Sequence, residues 1–159
     1  KNNNKMSKSI RLIHFNDVYE IKERNTEPVG GASRFATELN RLRDEKPSLL
    51  FFSGDCFSPS VLSVITKGSH MVRVLNQLKV DAAVVGNHDL DFGEGVLAKH
   101  VANSTCSWLL SNVDSFATKE PLATCMRYTI LESEGVRVGV IGLVEEEWIA
   151  TIPNMPPHR

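Results

Sequence analysis

Cysteine is scarce: Cys56, Cys106 and Cys125 are the only three in 159 residues. The number is odd and the spacing fits no metal knuckle, so neither a disulfide framework nor a zinc ribbon is expected to organise the chain. The residues read as small core or near-surface groups in a reducing compartment, which makes the cytoplasm the first expectation. A secreted protein with one disulfide and a free thiol is the second. Excess charge is also missing. Eighteen basic residues against nineteen acidic ones leave a formal charge of −1, a balance that gives no general field for a nucleic-acid polymer. No apolar run is long enough to span a membrane. The segment from Lys1 to Lys8 lacks the apolar stretch of a signal peptide and reads as a flexible polar tail, with Met6 a candidate start. No G-x-G-x-x-G follows a strand and no G-x-x-x-x-G-K occurs, so a dinucleotide fold has little support and a P-loop is excluded by pattern.

What is present is an ordinary globular composition, 42% hydrophobic and 23% charged, in a length that supports one domain with a real core. Its most informative stretch is Ala82-Ala83-Val84-Val85-Gly86-Asn87-His88-Asp89. A short apolar run rich in β-branched residues reads as a buried strand, and this one ends abruptly in an amide, an imidazole and a carboxylate. The pattern occurs twice upstream. Ile10 to Phe15 runs into Asn16-Asp17, and Leu49 to Phe52 runs into Ser53-Gly54-Asp55. Each alone fits a turn or a helix N-cap, where an Asp side chain bonds nearby N–H groups. Together they place Asp17, Asp55 and Asn87-His88-Asp89 beyond the carboxyl ends of strands, where open α/β sheets bind ligands.

Strands are expected over Ser9 to Phe15, Leu49 to Ser53, Asp81 to Val85 and Trp108 to Leu110. A hairpin is expected from Tyr128 to Leu131 and Val136 to Val144 around a Glu134-Gly135 turn. Between them, Ala32, Phe35, Ala36, Leu39 and Leu42 recur at helical spacing until Pro47. Further helices are expected over Ser60 to Thr66, with Ser58 as cap and Pro59 in the first turn, over Ser69 to Leu78, over Gly93 to Val101, and from Glu145. The alternation argues for an α/β sandwich. Residues 9–152 would be its body, with a Pro-rich tail over 153–159. His14 reads as a satisfied strand-end residue, and His70, His100 and His158 as solvated.

Carboxylate, amide oxygen and imidazole in one place suit Mn²⁺, Fe²⁺, Zn²⁺ or Mg²⁺. Two such ions about 3.5–4 Å apart can clamp a phosphate. On this reading Asp55 bridges the metals, Asp17 belongs to one and Asn87 to the other. His88 meets the phosphoryl oxygen or protonates the leaving group, and Asp89 orients the imidazole.

These residues resemble the calcineurin-like metallophosphoesterase superfamily and, within it, the 5′-nucleotidase family. Asn16-Asp17-Val18-Tyr19 resembles its N-D-x-H motif, Gly54-Asp55 its G-D motif, and Gly86 through Gly93 its G-N-H-[DE]-x-D-x-G motif. The resemblance implies a metallophosphoesterase-type α/β sandwich, of which this chain would be the N-terminal half. It implies metal ligands Asp17, Asp55 and Asn87, a His88–Asp89 catalytic dyad, and Asn87 and His88 on the substrate. It also implies two divalent ions in the parent protein and a small phosphate ester, nucleotides above all, as substrate. A cyclic-nucleotide phosphodiesterase or a non-catalytic scaffold that kept the fold are the alternatives. Two departures accompany it. Tyr19 stands where the family has histidine, and is expected to pack or hydrogen-bond rather than ligate. Nothing after Val144 resembles the family's later histidine motifs, so a weak or empty metal site is expected in this chain, along with self-association through an exposed apolar edge.

Overall fold

A computed structural model describes residues 8–152. The Pro-rich segment 153–159, His158 and all but the last residue of the polar tail lie outside the described residues. Four short strands, β1 (Arg11–Phe15), β2 (Ser48–Phe52), β3 (Ala82–Val84) and β4 (Ser107–Leu109), form one parallel sheet in the order β1-β2-β3-β4. The connections carry helices α1 (Ala32–Glu45), α2 (Val61–Thr66), α3 (Ser69–Leu78) and α4 (Glu94–Asn103). A parallel pair cannot be joined by a tight turn, so each crossover needs such an element.

One sheet face is buried under these helices. Ile13, Phe15, Leu50, Phe52, Ala83, Val85, Trp108 and Leu110 belong to a cluster that also takes in Phe35 and Leu39 of α1, Met71, Val72, Leu75 and Leu78 of α3, and Leu97 of α4. Aromatic side chains join the layers: Phe15 meets Phe35 edge-on at 5.0 Å and Phe57 lies 5.4 Å from Trp108. Each fully buried Leu or Phe contributes about 1.5–3 kcal/mol, which is why α1 and α3 hold helical spacing on their inner sides.

The opposite sheet face is only partly covered. Strands β5 (Tyr128–Ser133) and β6 (Val136–Ile141) form an antiparallel hairpin. Its two-residue turn puts Glu134 and Gly135 at φ 52° and 67°, the positive pair that matches strand twist. Gly142 carries the hairpin past β3 and β4, where a Cβ would lie 2.7 Å from Val84 Cγ2 and 2.9 Å from Leu109 Cβ. A shallow cavity of about 200 Å³ remains between His14, Phe51, Ala82, Val84, Leu109 and Ile141. Leu12, Met126, Tyr128, Ile130, Ile141 and Leu143 stay exposed.

Several sequence expectations shift. Ser60, not Ser58, caps α2: its hydroxyl accepts from Ser63 N at 3.0 Å while Ser63 Oγ accepts from Ser60 N at 2.8 Å, a reciprocal box that leaves Pro59 outside the helix. The segment after Glu145 forms only a 3₁₀ turn, Glu147–Thr151. His100 is buried rather than solvated, with Nε2 2.7 Å from the Lys67 carbonyl and its ring on Phe57 at 4.4 Å. His70 is half-buried, with Nδ1 2.6 Å from Thr66 Oγ1.

Candidate active site

Parallel strands put their carboxyl ends on one edge, and that edge collects the sequence motifs. Asp17 follows β1, Asp55 follows β2, and Asn87–Leu90 forms a 3₁₀ turn after β3. The first two loops are tied together, since Asp17 N donates to the Gly54 carbonyl at 3.1 Å and Val18 N to that of Asp55 at 3.0 Å. Asp17 and Asp55 both sit at positive φ, 55° and 66°, a left-handed conformation that Asp tolerates better than bulkier residues. The Gly54 and Gly86 backbones pass so closely that a Cβ on Gly54 would lie 2.4 Å from Gly86 N, and one on Gly86 2.1 Å from Asp55 Oδ1.

The structure brings Asp17, Asp55 and His88 together. Tyr19 Oη donates to Asp17 Oδ1 at 2.8 Å and reaches Asp55 Oδ2 at 3.4 Å. The Asn16 amide donates to the other oxygen of Asp17, and His88 N donates to Asp55 Oδ1 at 2.9 Å. Asn87 is half-buried at the head of the 3₁₀ turn. His14 of β1 lines the cavity on the open sheet face and meets Ser53 Oγ at 2.6 Å. Burial, the Asp17 hydrogen bond and the nearby carboxylates raise the Tyr19 phenol well above its ordinary value. Burial and the charge of Asp89 raise Asp55, against the His88 N–H.

Asp89 does not orient His88. It is 2% exposed and accepts from four backbone N–H groups: Asp55 and Gly86 at 2.9 Å on Oδ2, Cys56 at 2.9 Å and Phe57 at 3.1 Å on Oδ1. Burial pushes its carboxyl up and the four donors hold it down, with burial prevailing. Asp89 therefore fastens the loop after β2 to the loop after β3. The partner of the imidazole is Asp91, whose Oδ2 lies 3.0 Å from His88 Nδ1. A legible signal marked it, because residues three apart on a helical turn face each other. Partial burial pulls the His88 pKa down, but the hydrogen bond and charge of Asp91, with Asp55 and Asp89, outweigh it and leave the pKa raised.

For a metal, these residues offer the oxygens of Asp17, Asp55 and Asn87. Among the described residues no group of three or more His, Cys, Asp or Glu is gathered closely enough to hold an ion. Three of the four oxygens of Asp17 and Asp55 take a close protein donor, and Asp55 Oδ2 has the Tyr19 hydroxyl at 3.4 Å. The described residues do not by themselves fit a metal centre. The cysteines are free, Cys56 and Cys125 buried and Cys106 half-buried. Burial raises all three thiols, Cys106 to about 11 and Cys125 to about 12, against the thiolate form. No described helix is long and apolar enough to cross a membrane.

Comparison with known proteins gives a consistent picture. The model of the calcineurin-like phosphoesterase family matches residues 10–150. Rat 5′-nucleotidase is 26% identical over 152 residues, covering 87% of this chain and 26% of its own length. Human 5′-nucleotidase is 26% identical over 155 residues with the same two coverages. The chain thus spans about a quarter of the length of these curated relatives. Among solved structures, the 5′-nucleotidase precursor of Thermus thermophilus superposes with a TM-score of 0.80 at 26% identity, over 93% of this chain and 31% of that one.

Proposed function

The chain belongs to the calcineurin-like phosphoesterase family, and from that premise we propose that it forms the front part of a hydrolase of small phosphate esters, nucleoside monophosphates first. The observation that carries this reading is the meeting of Asp17, Asp55 and His88 at the ends of three adjacent parallel strands. Residues 9–152 constitute the N-terminal part of the catalytic domain in a polypeptide of the relatives' length.

On this reading the phosphate lies beside His88. Asp91 holds the imidazole at Nδ1 and favours its protonated form, so the ring presents an Nε2 proton to the phosphoryl oxygen or to the leaving alkoxide. Water adds to phosphorus, the ester P–O bond breaks, and the alcohol leaves with the proton. Asn87 adds a neutral amide to the same anion. Two divalent ions, Mn²⁺, Zn²⁺, Fe²⁺ or Mg²⁺, belong to the complete protein and need ligands beyond those described. Three oxygen donors without imidazole bind first-row ions weakly. The three free cysteines, Cys56 and Cys125 buried and Cys106 half-buried, favour a reducing compartment. The exposed apolar face around Leu12 and Ile130 favours self-association of the chain by itself.

One observation supports a second reading. The Tyr19 hydroxyl lies between the acidic pair and donates to Asp17 without a cation, as in a scaffold that kept the fold. Hydrolysis by a protein of the relatives' length with Mn²⁺, read as phosphate released from a nucleoside monophosphate and as monophosphate formed from a cyclic nucleotide, tests the choice. Monoester hydrolysis is expected. Hydrolysis of the cyclic ester alone would make it a phosphodiesterase, and none with any divalent ion would leave the scaffold.

A further inference from the structure

The acidic pair at the site edge is closed by a neutral donor. Tyr19 Oη lies 2.8 Å from Asp17 Oδ1 and 3.4 Å from Asp55 Oδ2, so one hydroxyl spans two carboxylates from different strands. The remaining oxygens are also taken, one by the Asn16 amide and one by His88 N. The phenol is not a loose side chain. It is half-buried, and its ring stands edge-on to that of His88 with centroids 6.1 Å apart. Clustered carboxylates repel unless something compensates them, ordinarily a cation. Here a hydrogen bond does part of that work, at the position where an imidazole would instead have offered a lone pair.

We infer that Tyr19 competes with metal for this site: its hydroxyl lies between Asp17 and Asp55 and occupies the oxygens that a divalent ion, with ligands beyond those described, would need. A cation arriving there must first break the bridge, and a neutral phenol repays little as a ligand. Occupancy of the Asp17 side is therefore set against metal by a residue of this chain. The inference rests on the phosphoesterase reading for the importance of the metal, but not on turnover.

The test is calorimetric titration of Mn²⁺ and Zn²⁺ into this chain as wild type, Tyr19→Phe and Tyr19→His, with circular dichroism to confirm the fold. Tyr19→Phe removes one oxygen and keeps the ring, so it should remain folded even if Tyr19→His does not. It should bind Mn²⁺ roughly 10–100-fold more tightly than wild type, the worth of one hydrogen bond to a charged group, and adding Asp17→Asn should abolish the gain. Tyr19→His should favour Zn²⁺ more strongly still. Weaker or unchanged binding in Tyr19→Phe would overturn the inference, as would a visible phenolate charge-transfer band when Fe³⁺ is added to wild type, since either makes Tyr19 a ligand or a bystander. Failure of the longer protein to hydrolyse phosphate esters would sink the phosphoesterase reading without altering these affinities, so the two failures are separable.

Discussion

Replacing Asp89 by asparagine isolates what holds the site together. Four backbone N–H groups converge on the two Asp89 oxygens at 2.9–3.1 Å. Asparagine keeps one oxygen and so can accept from two of them. Its NH₂ group then faces the other two donors, and neither can bond it. Two hydrogen bonds to a charged acceptor are lost, at about 1.5–3 kcal/mol each. Removing a buried charge returns part of that, because burial already disfavours the ionised carboxyl. A net loss of about 3 kcal/mol remains, a large share of the roughly 5–15 kcal/mol that holds a domain folded. For a domain of this size each kcal/mol moves Tm by about 2–4 °C, so Asp89→Asn should melt roughly 6–12 °C below wild type in a thermal circular-dichroism scan. Asp91→Asn is the control. It touches a partly exposed pair and should cost under about 1 kcal/mol. An Asp89→Asn chain melting within about 2 °C of wild type, or less affected than Asp91→Asn, would refute a fastening role for Asp89.

Asp91→Asn should instead lower the His88 pKa, read by NMR titration of the ring. Because that pKa is raised in the folded chain, its stabilisation is present below the unfolded value and fades as pH rises through the folded one, and the variant should flatten this dependence. Gly86→Ala and Gly54→Ala should each lose the native near-ultraviolet circular dichroism, since their Cβ atoms would lie 2.1 Å from Asp55 Oδ1 and 2.4 Å from Gly86 N with backbone on both sides; native spectra would show that the loops can separate. His100 has the opposite sign to His88. Burial lowers its pKa against the pull of the Lys67 carbonyl, so the chain should lose stability as pH falls below about 6.5. His100→Gln should shrink the gap between melting temperatures at acid and neutral pH, and an undiminished gap would place the sensitivity elsewhere.

The sheet was legible because its strands are short β-branched or apolar runs that stop at polar residues, and the helices between them because Phe35, Leu39, Met71 and Leu75 recur at helical spacing and are held in the core. The convergence of Asp17, Asp55 and His88 followed from parallel order alone. The roles within the G-N-H-D stretch were not legible in the same way. Asp89 is adjacent to His88 in sequence, yet a helical turn sends neighbours to different sides, so Asp89 points into the loop after β2 while Asp91, three residues on, reaches the imidazole. His100 was misplaced for a related reason. Its partners, Lys67 and Phe57, come from distant segments, and no local pattern reveals a carbonyl waiting across a helix packing.

The proton-donating role proposed for His88 is best tested by steady-state hydrolysis of a nucleoside monophosphate with Mn²⁺, comparing His88→Asn with wild type in a protein of the relatives' length. His88 is half-exposed at the edge, so the variant should fold, bind the ester, and show kcat reduced by roughly 10²–10⁴-fold. An unchanged kcat in His88→Asn, beside an active wild type, would contradict the assignment.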